Sequence, residues 1–244
     1  MAPTRKQREI AARHQRILAA AREQLLEGGY LGLSMDKLAA AVEYSKGTIY
    51  QHFSCKEEVV ATLALETARV RLGLFECAAT FRGRPRERML AVGIAADLFL
   101  EHFPDHFRVE QIARGAVREK VSPERQRELA SCEQRCMQIC AGIVRDGVAS
   151  GDLDLPAEVS PEELSFSLWS SSFGVFTIVT SGAFHLEDMG IAEPLLALRK
   201  GQNRMLDGFG WRPLTDEHDY EASAARIRAE VLDEVLVTLR EETL

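Results

Sequence analysis

Apolar residues in this chain recur three and four positions apart along most of its length, and no convincing run of alternating apolar and polar residues breaks that pattern. A 3.6-residue period buries one stripe of a helix, whereas a half-buried strand needs a period of two, so the chain is committed to an all-α fold. The breaks are chemically explicit. A first helix is predicted from Arg8 to Glu27, with Ile10, Ile17, Leu18, Ala21 and Leu25 on its apolar face. Gly28-Gly29 ends it, because glycine tolerates the left-handed conformation found at helix C-termini. Ser34 is placed to cap a short helix over Met35–Val42, and Ser45 to cap another that runs through Phe53. A long fourth helix follows from Lys56 to about Ala79, and Arg82-Gly83-Arg84-Pro85 reads as a linker. Further helices are predicted near 85–103, 104–117, 123–149, 161–181, 193–208 and 219–242, with Pro104, Pro123 and Pro161 at first-turn positions where a missing N–H costs nothing.

Charge is unevenly distributed. The chain carries a net charge of −7, yet its first 56 residues hold nine Lys/Arg against five acids. A basic module facing a polyanion, attached to an acidic body with a different task, fits that asymmetry. Within the basic part, "YSKGTIYQHFSCKEEV" (Tyr44 to Val59) places polar, aromatic and small residues on two consecutive turns. Two short helices joined by the three-residue turn Glu43-Tyr44-Ser45 make a helix-turn-helix. Leu38, Val42, Tyr44, Ile49 and Phe53 supply its miniature core, and Ala39 lets the helices approach. The second helix then turns Lys46, Gly47, Thr48, Tyr50, Gln51 and His52 outward. Such a helix fits the major groove of duplex DNA. Ser34, Ser45, Lys46, Thr48, Tyr50, His52 and Lys56 suit phosphate oxygens. Gln51 can read adenine with two hydrogen bonds, Thr48 can touch a thymine methyl, and Gly47 permits close approach. The competing reading is a three-helix packing unit with a polar exterior and no partner.

At these residues the chain resembles a known family. "LSMDKLAAAVEYSKGTIYQHFSCKEEV", preceded by "RILAAAREQLLEGGY", is similar to the DNA-binding domain of TetR-type transcriptional regulators over about Arg13 to Val60. The resemblance implies a helix-turn-helix head over residues 1–60, with helix four continuing to about 80, and a larger helical ligand-binding and dimerisation domain over 61–244. It also implies a homodimer on a palindromic operator, released by an unknown small molecule. Three features depart from the family pattern. Glu43 stands where the turn commonly has glycine, Cys55 takes a capping slot usually held by Ser or Asn, and Arg22 and Gln24 occupy normally apolar helix positions. The tail Arg5-Lys6-Gln7-Arg8 can add phosphate or minor-groove contacts, or be a solvated terminus without a role.

The larger part offers weaker signals. Cys132, Cys136 and Cys140 recur every four residues beside Leu129 and Ile143, which reads as core packing, with thiol or soft-metal sensing as the alternative. Phe99, His102, His106, Trp169 and Phe173 are candidates for an effector pocket, because such pockets combine aromatic walls with few polar groups. Pro104 interrupts the backbone between His102 and His106, so no helical metal site is expected there, and no cofactor is expected at all. An intersubunit four-helix bundle is predicted from the last helix (Ile227, Val231, Val235, Leu239) and from 164–179 (Leu168, Phe176), with packing inside one subunit as the alternative. Leu164 to Phe184 is uncharged and long enough to span a bilayer, but its eight Ser/Thr lower its hydropathy. A helix buried on most sides within protein is the expectation. With a charged start lacking an apolar core and an odd number of cysteines, the chain is expected in the cytoplasm. An all-α enzyme is the rival class, but no nucleophile–base pair, phosphate loop or metal spacing supports it.

Overall fold

A computed structural model describes residues 4–116 and 121–243, and among them every regular element is helical. The elements are α1 (Arg5–Gly32), α2 (Met35–Ala41), α3 (Lys46–His52), α4 (Lys56–Ala79), α5 (Pro85–His102), α6 (Pro104–Ala116), α7 (Pro123–Ala149), α8 (Pro161–Ser181), α9 (Pro194–Gly208), α10 (Tyr220–Ile227) and α11 (Asp233–Thr243). A π-helical turn over Arg228–Leu232 joins the last two. The sequence reading carried the sixth helix to Val117, which lies outside the described residues.

Local chemistry sets most of the ends. Capped by Thr4, α1 starts at Arg5, three residues ahead of the predicted Arg8: Gln7 N donates to Thr4 Oγ1 at 3.3 Å while Thr4 N donates to Gln7 Oε1 at 2.8 Å. Gly29 breaks α1 at φ +61°, a region that glycine enters without steric cost, and a last helical turn follows it. Ser160 and Glu163 exchange the same reciprocal pair of bonds at the start of α8, and donation from Ser160 N and then Ser160 Oγ to Glu163 Oε2 holds the Glu163 carboxyl below its ordinary range. Prolines open α5 through α9.

The chain divides into two compact units. The first comprises Met1–Arg69 with Asp105–Ser131, and the second Val70–Pro104 with Cys132–Leu244. In the first, Ile17, Leu18, Ala21 and Leu25 of α1 pack with Leu38, Ile49, Phe53, Val59 and Leu63. Val109 and Ala113 of α6 belong to that same core. Ile10 departs from its expected place on the apolar face, being 45% exposed. Arg22 meets Glu66 Oε2 at 3.3 Å, which answers the charge at a usually apolar position, whereas the buried Gln24 Oε1 has no hydrogen-bond partner among the described residues.

The second unit is organised around a buried tryptophan. Trp211, in "GFGWRP", is fully buried, and its indole lies against Gly147, where an added Cβ would come within 3.0 Å of the ring. Arg86 of α5, 1% exposed, donates to the carbonyls of Trp211, Pro213 (2.8 Å) and Asn203 (3.1 Å) and pairs with Asp207 Oδ1 at 2.7 Å. Buried charge is tolerated only when paired and hydrogen-bonded in this way. Arg212 N donates to Asp152 O at 2.7 Å, tying "RDGVASGDLD" to "GFGWRP". A second buried pair joins Asp97 of α5 to Arg199 of α9 across the bare face of Gly93. Gln202 continues that network to Leu168 O, Ser171 and Ser172 of α8. Contrary to expectation, α8 is not enclosed on most sides: Phe166, Trp169 and Ile178 are 55%, 42% and 41% exposed in the single chain. Among the described residues, no helix is long and apolar enough to cross a membrane.

Candidate nucleic-acid interface

The outward face of α3 is held in place from behind. Thr48 N donates to Ser45 Oγ at 3.1 Å, and the two hydroxyl oxygens lie 2.9 Å apart, so the helix starts where the spacing predicts. Ile49 and Phe53 are 0% and 4% exposed, which fixes the rotation of α3 about its axis. Lys46, Gly47, Tyr50 and Gln51 then face solvent, while Thr48 and His52 are half-buried. Ser34 caps α2 by accepting from Lys37 N at 3.2 Å. The turn between α2 and α3 places Glu43 at φ +56°, the positive value that the family's usual glycine suggests.

Gly47 is informative because the fold does not demand it. A Cβ there would meet only Ser45 Oγ, at an ordinary 3.7 Å, and the residue is not among those with positive φ. Glycine costs roughly 1 kcal/mol against alanine inside a helix. The surface at Gly47 is bare, and nothing in the packing around it requires that.

Two of the lysines have intramolecular partners that the sequence did not reveal. Lys46 Nζ lies 2.7 Å from Asp36 Oδ2, with both side chains 64% exposed. Lys56 Nζ sits 4.0 Å above the Tyr30 ring and donates to Tyr30 O at 3.4 Å. Tyr30 in turn donates its hydroxyl to Glu57 Oε1 at 2.7 Å, and burial together with that bond pushes its pKa up to about 12. Lys56 thus locks the α1–α2 corner to α4 as well as carrying charge.

Behind α3 stands a layer that sequence reasoning missed. His14 of α1 stacks on Phe53 at 4.7 Å and lies 5.8 Å from the His52 ring. Burial, then the neighbouring His52 and Arg125, lower its pKa. Arg16 donates to the Tyr44 hydroxyl at 3.3 Å. The available signal was helical spacing, since His14 precedes the buried Ile17 and Leu18 by three and four residues.

The remaining sequence-derived sites are distributed as follows. Phe99, His102, Trp169 and Phe173 belong to the second unit, where Phe99 is 1% exposed and the Trp169 and Phe173 rings are 5.4 Å apart. His106 belongs to the first unit, with Nδ1 3.2 Å from Thr67 Oγ1, and burial first and Arg22 second lower its pKa to about 4. The five residues named for an effector pocket are therefore divided between the two units. Of the dimer-surface candidates, Leu168, Phe176 and Ile227 are buried within the single chain, while Val231, Val235 and Leu239 are half-buried. Cys132 and Cys136 are buried, and burial and then Cys136 push the Cys140 thiol up to about 12, opposite to the low pKa of reactive cysteines. Among the described residues, no group of three or more His, Cys, Asp or Glu side chains is placed to hold a metal ion.

Known proteins share this arrangement. The sequence profile of bacterial regulatory proteins of the tetR family matches residues 17–63, which include α2, α3 and the start of α4. Over 60 residues the chain is 42% identical to the HTH-type transcriptional repressor AcnR of Corynebacterium diphtheriae, a match spanning 25% of this chain and 32% of that protein. Over 149 residues it is 30% identical to the uncharacterised HTH-type transcriptional regulator YdeS of Bacillus subtilis, spanning 60% of this chain and 71% of that one. A crystal structure of a tetR-family regulatory protein from Rhodococcus RHA1 superposes with a TM-score of 0.63 at 21% identity, over 81% of this chain and 97% of that chain, which establishes the shared fold. The chain belongs to the TetR family of bacterial regulatory proteins.

Proposed function

We propose that the chain is a sequence-specific transcriptional regulator of the cytoplasm that binds a palindromic operator as a homodimer. In this reading it represses until a small molecule held by its larger helical part releases it. The observation that carries the DNA half is the outward face of α3: Lys46, Gly47, Tyr50 and Gln51 are exposed on a helix locked from behind by Ile49 and Phe53. Residues 1–60 act as the head and 61–244 as the body. Ser34, Ser45, Thr48 and Tyr50 offer hydroxyls to phosphates, His52 offers a ring N–H, Gln51 reads a base edge, and Lys46 and Lys56 add positive charge. A second copy would cover the exposed aromatic side of α8, where Phe166, Trp169 and Ile178 meet solvent. The effector half rests on family membership.

Binding of a selected duplex to the purified full chain, followed by fluorescence anisotropy, tests the proposal. Gln51→Ala should cost about 1–3 kcal/mol per half-site and relax preference at one base pair, the magnitude of a lost bidentate contact. Tyr50→Ala should weaken all duplexes alike by several-fold. Both variants should retain wild-type circular dichroism, and wild-type affinity in both would overturn the assignment.

A further inference from the structure

The Asp36–Lys46 pair lies on the proposed DNA-binding face, and no packing need explains it. Both side chains are 64% exposed and 2.7 Å apart, and each comes from a different helix of the helix-turn-helix. Exposed pairs of this kind add little to stability. Their effect on a polyanion is larger, because Lys46 cannot neutralise a phosphate and Asp36 at once.

We propose that Asp36 is a built-in competitor for the phosphate that Lys46 contacts, and so weakens and flattens the salt dependence of duplex binding. This rests on the DNA reading of α3. In the free head the Asp36 carboxylate occupies Lys46 as a phosphate oxygen would: both are anionic oxygen acceptors. When the duplex arrives, Lys46 exchanges one anion for another. Asp36 is left as a bare negative charge near the backbone, and the cation it attracts offsets the counterion that the phosphate releases. Each head thereby gives up most of one unit of counterion release. The penalty falls on every duplex regardless of sequence, whereas contacts such as Gln51 to a base edge are unaffected. Asp36 therefore lowers operator and background affinity by the same factor, which leaves base reading and the ratio between the two unchanged.

Salt titrations of anisotropy on one selected operator test this, using the full chain as wild type, Asp36→Asn, and Asp36→Asn with Lys46→Gln. Asparagine preserves the shape and removes the charge. The single variant should bind about two- to thirtyfold tighter at low salt, from an exposed-pair energy counted over two heads. Its log K against log salt slope should steepen by about 0.9 per head. Adding Lys46→Gln should return the slope to near the wild-type value, because the freed lysine is then gone. An unchanged slope and affinity in Asp36→Asn would overturn the proposal. So would weaker binding, which would mean that the carboxylate positions Lys46 or touches a base. Absence of binding by the wild type on every selected duplex would instead overturn the DNA reading, and this inference with it.

Discussion

A methyl group at Gly47 would touch nothing of the protein closer than 3.7 Å, so Gly47→Ala separates what the fold requires from what a partner requires. Its folding stability should stay the same or rise by about 0.5–1 kcal/mol in chemical denaturation, because alanine favours the helix. Its operator affinity should nevertheless fall at least several-fold. A variant that loses stability would show the glycine to be structural. Glu43 poses the opposite case. A side chain at φ +56° crowds the backbone, at a cost of about 1–2 kcal/mol that glycine escapes. After glycine's extra unfolded-state entropy is subtracted, Glu43→Gly should gain about 0.5–1 kcal/mol. A loss in the same denaturation measurement would contradict the turn geometry. His106 predicts a pH effect. Its pKa is depressed from 6.5 to about 4, so the folded state resists protonation that the unfolded chain accepts. Stability from this group is complete above pH 6.5, declines as pH falls towards 4 and is flat below, by at most about 3 kcal/mol. Denaturation at pH 7 and pH 5 should therefore differ less for His106→Gln than for the wild type, and an equal difference would exclude His106 as the cause.

At the scale of elements, Ile227 of α10 and Trp169 of α8 differ in burial within the single chain. Ile227 of α10 is 0% exposed in the single chain, so Ile227→Ala should destabilise the fold by about 2–5 kcal/mol, as truncations of buried aliphatic side chains do. Trp169 on α8 is 42% exposed, so Trp169→Glu should leave circular dichroism intact while shifting sedimentation towards the monomer. If Trp169→Glu sediments as the wild type does, α8 is not the covered face. These outcomes also mark what was legible beforehand. Helix starts at Pro104, Pro123 and Pro161, the caps at Ser34 and Ser45, and the break at Gly29 depend on a residue and its immediate neighbours, and the sequence shows them directly. The inward set of the helix-turn-helix was equally readable, because Leu38, Ile49 and Phe53 can share a side only in one rotation. The π turn at 228–232, the burial of Trp211 against Gly147, and the placement of His106 beside Thr67 depend on distant partners. Apolar spacing could not show which side of α8 the chain itself would cover, since Phe166, Trp169, Leu168 and Phe176 are alike in hydrophobicity but not in burial.

At the scale of the whole molecule, the charge asymmetry acquires a physical role. In the proposed function, a chain of net −7 approaches DNA through its basic first 56 residues, because the acidic remainder repels the duplex. Some of the basic charge is already engaged: Lys46 is paired with Asp36, and Lys56 is seated on Tyr30. In the proposed function, specific affinity then comes from shape and base edges more than from charge count, which makes the face built of Gly47, Tyr50 and Gln51 the proposed centre of recognition. The decisive measurement is selection of bound sequences from random duplex DNA by the full chain, under heparin competition. The outcome expected is enrichment of an inverted repeat whose half-sites lie about one or more helical turns apart, lost in Gln51→Ala. Recovery of no common sequence, or of one that Gln51→Ala and Tyr50→Ala bind as tightly as the wild type, would contradict the account.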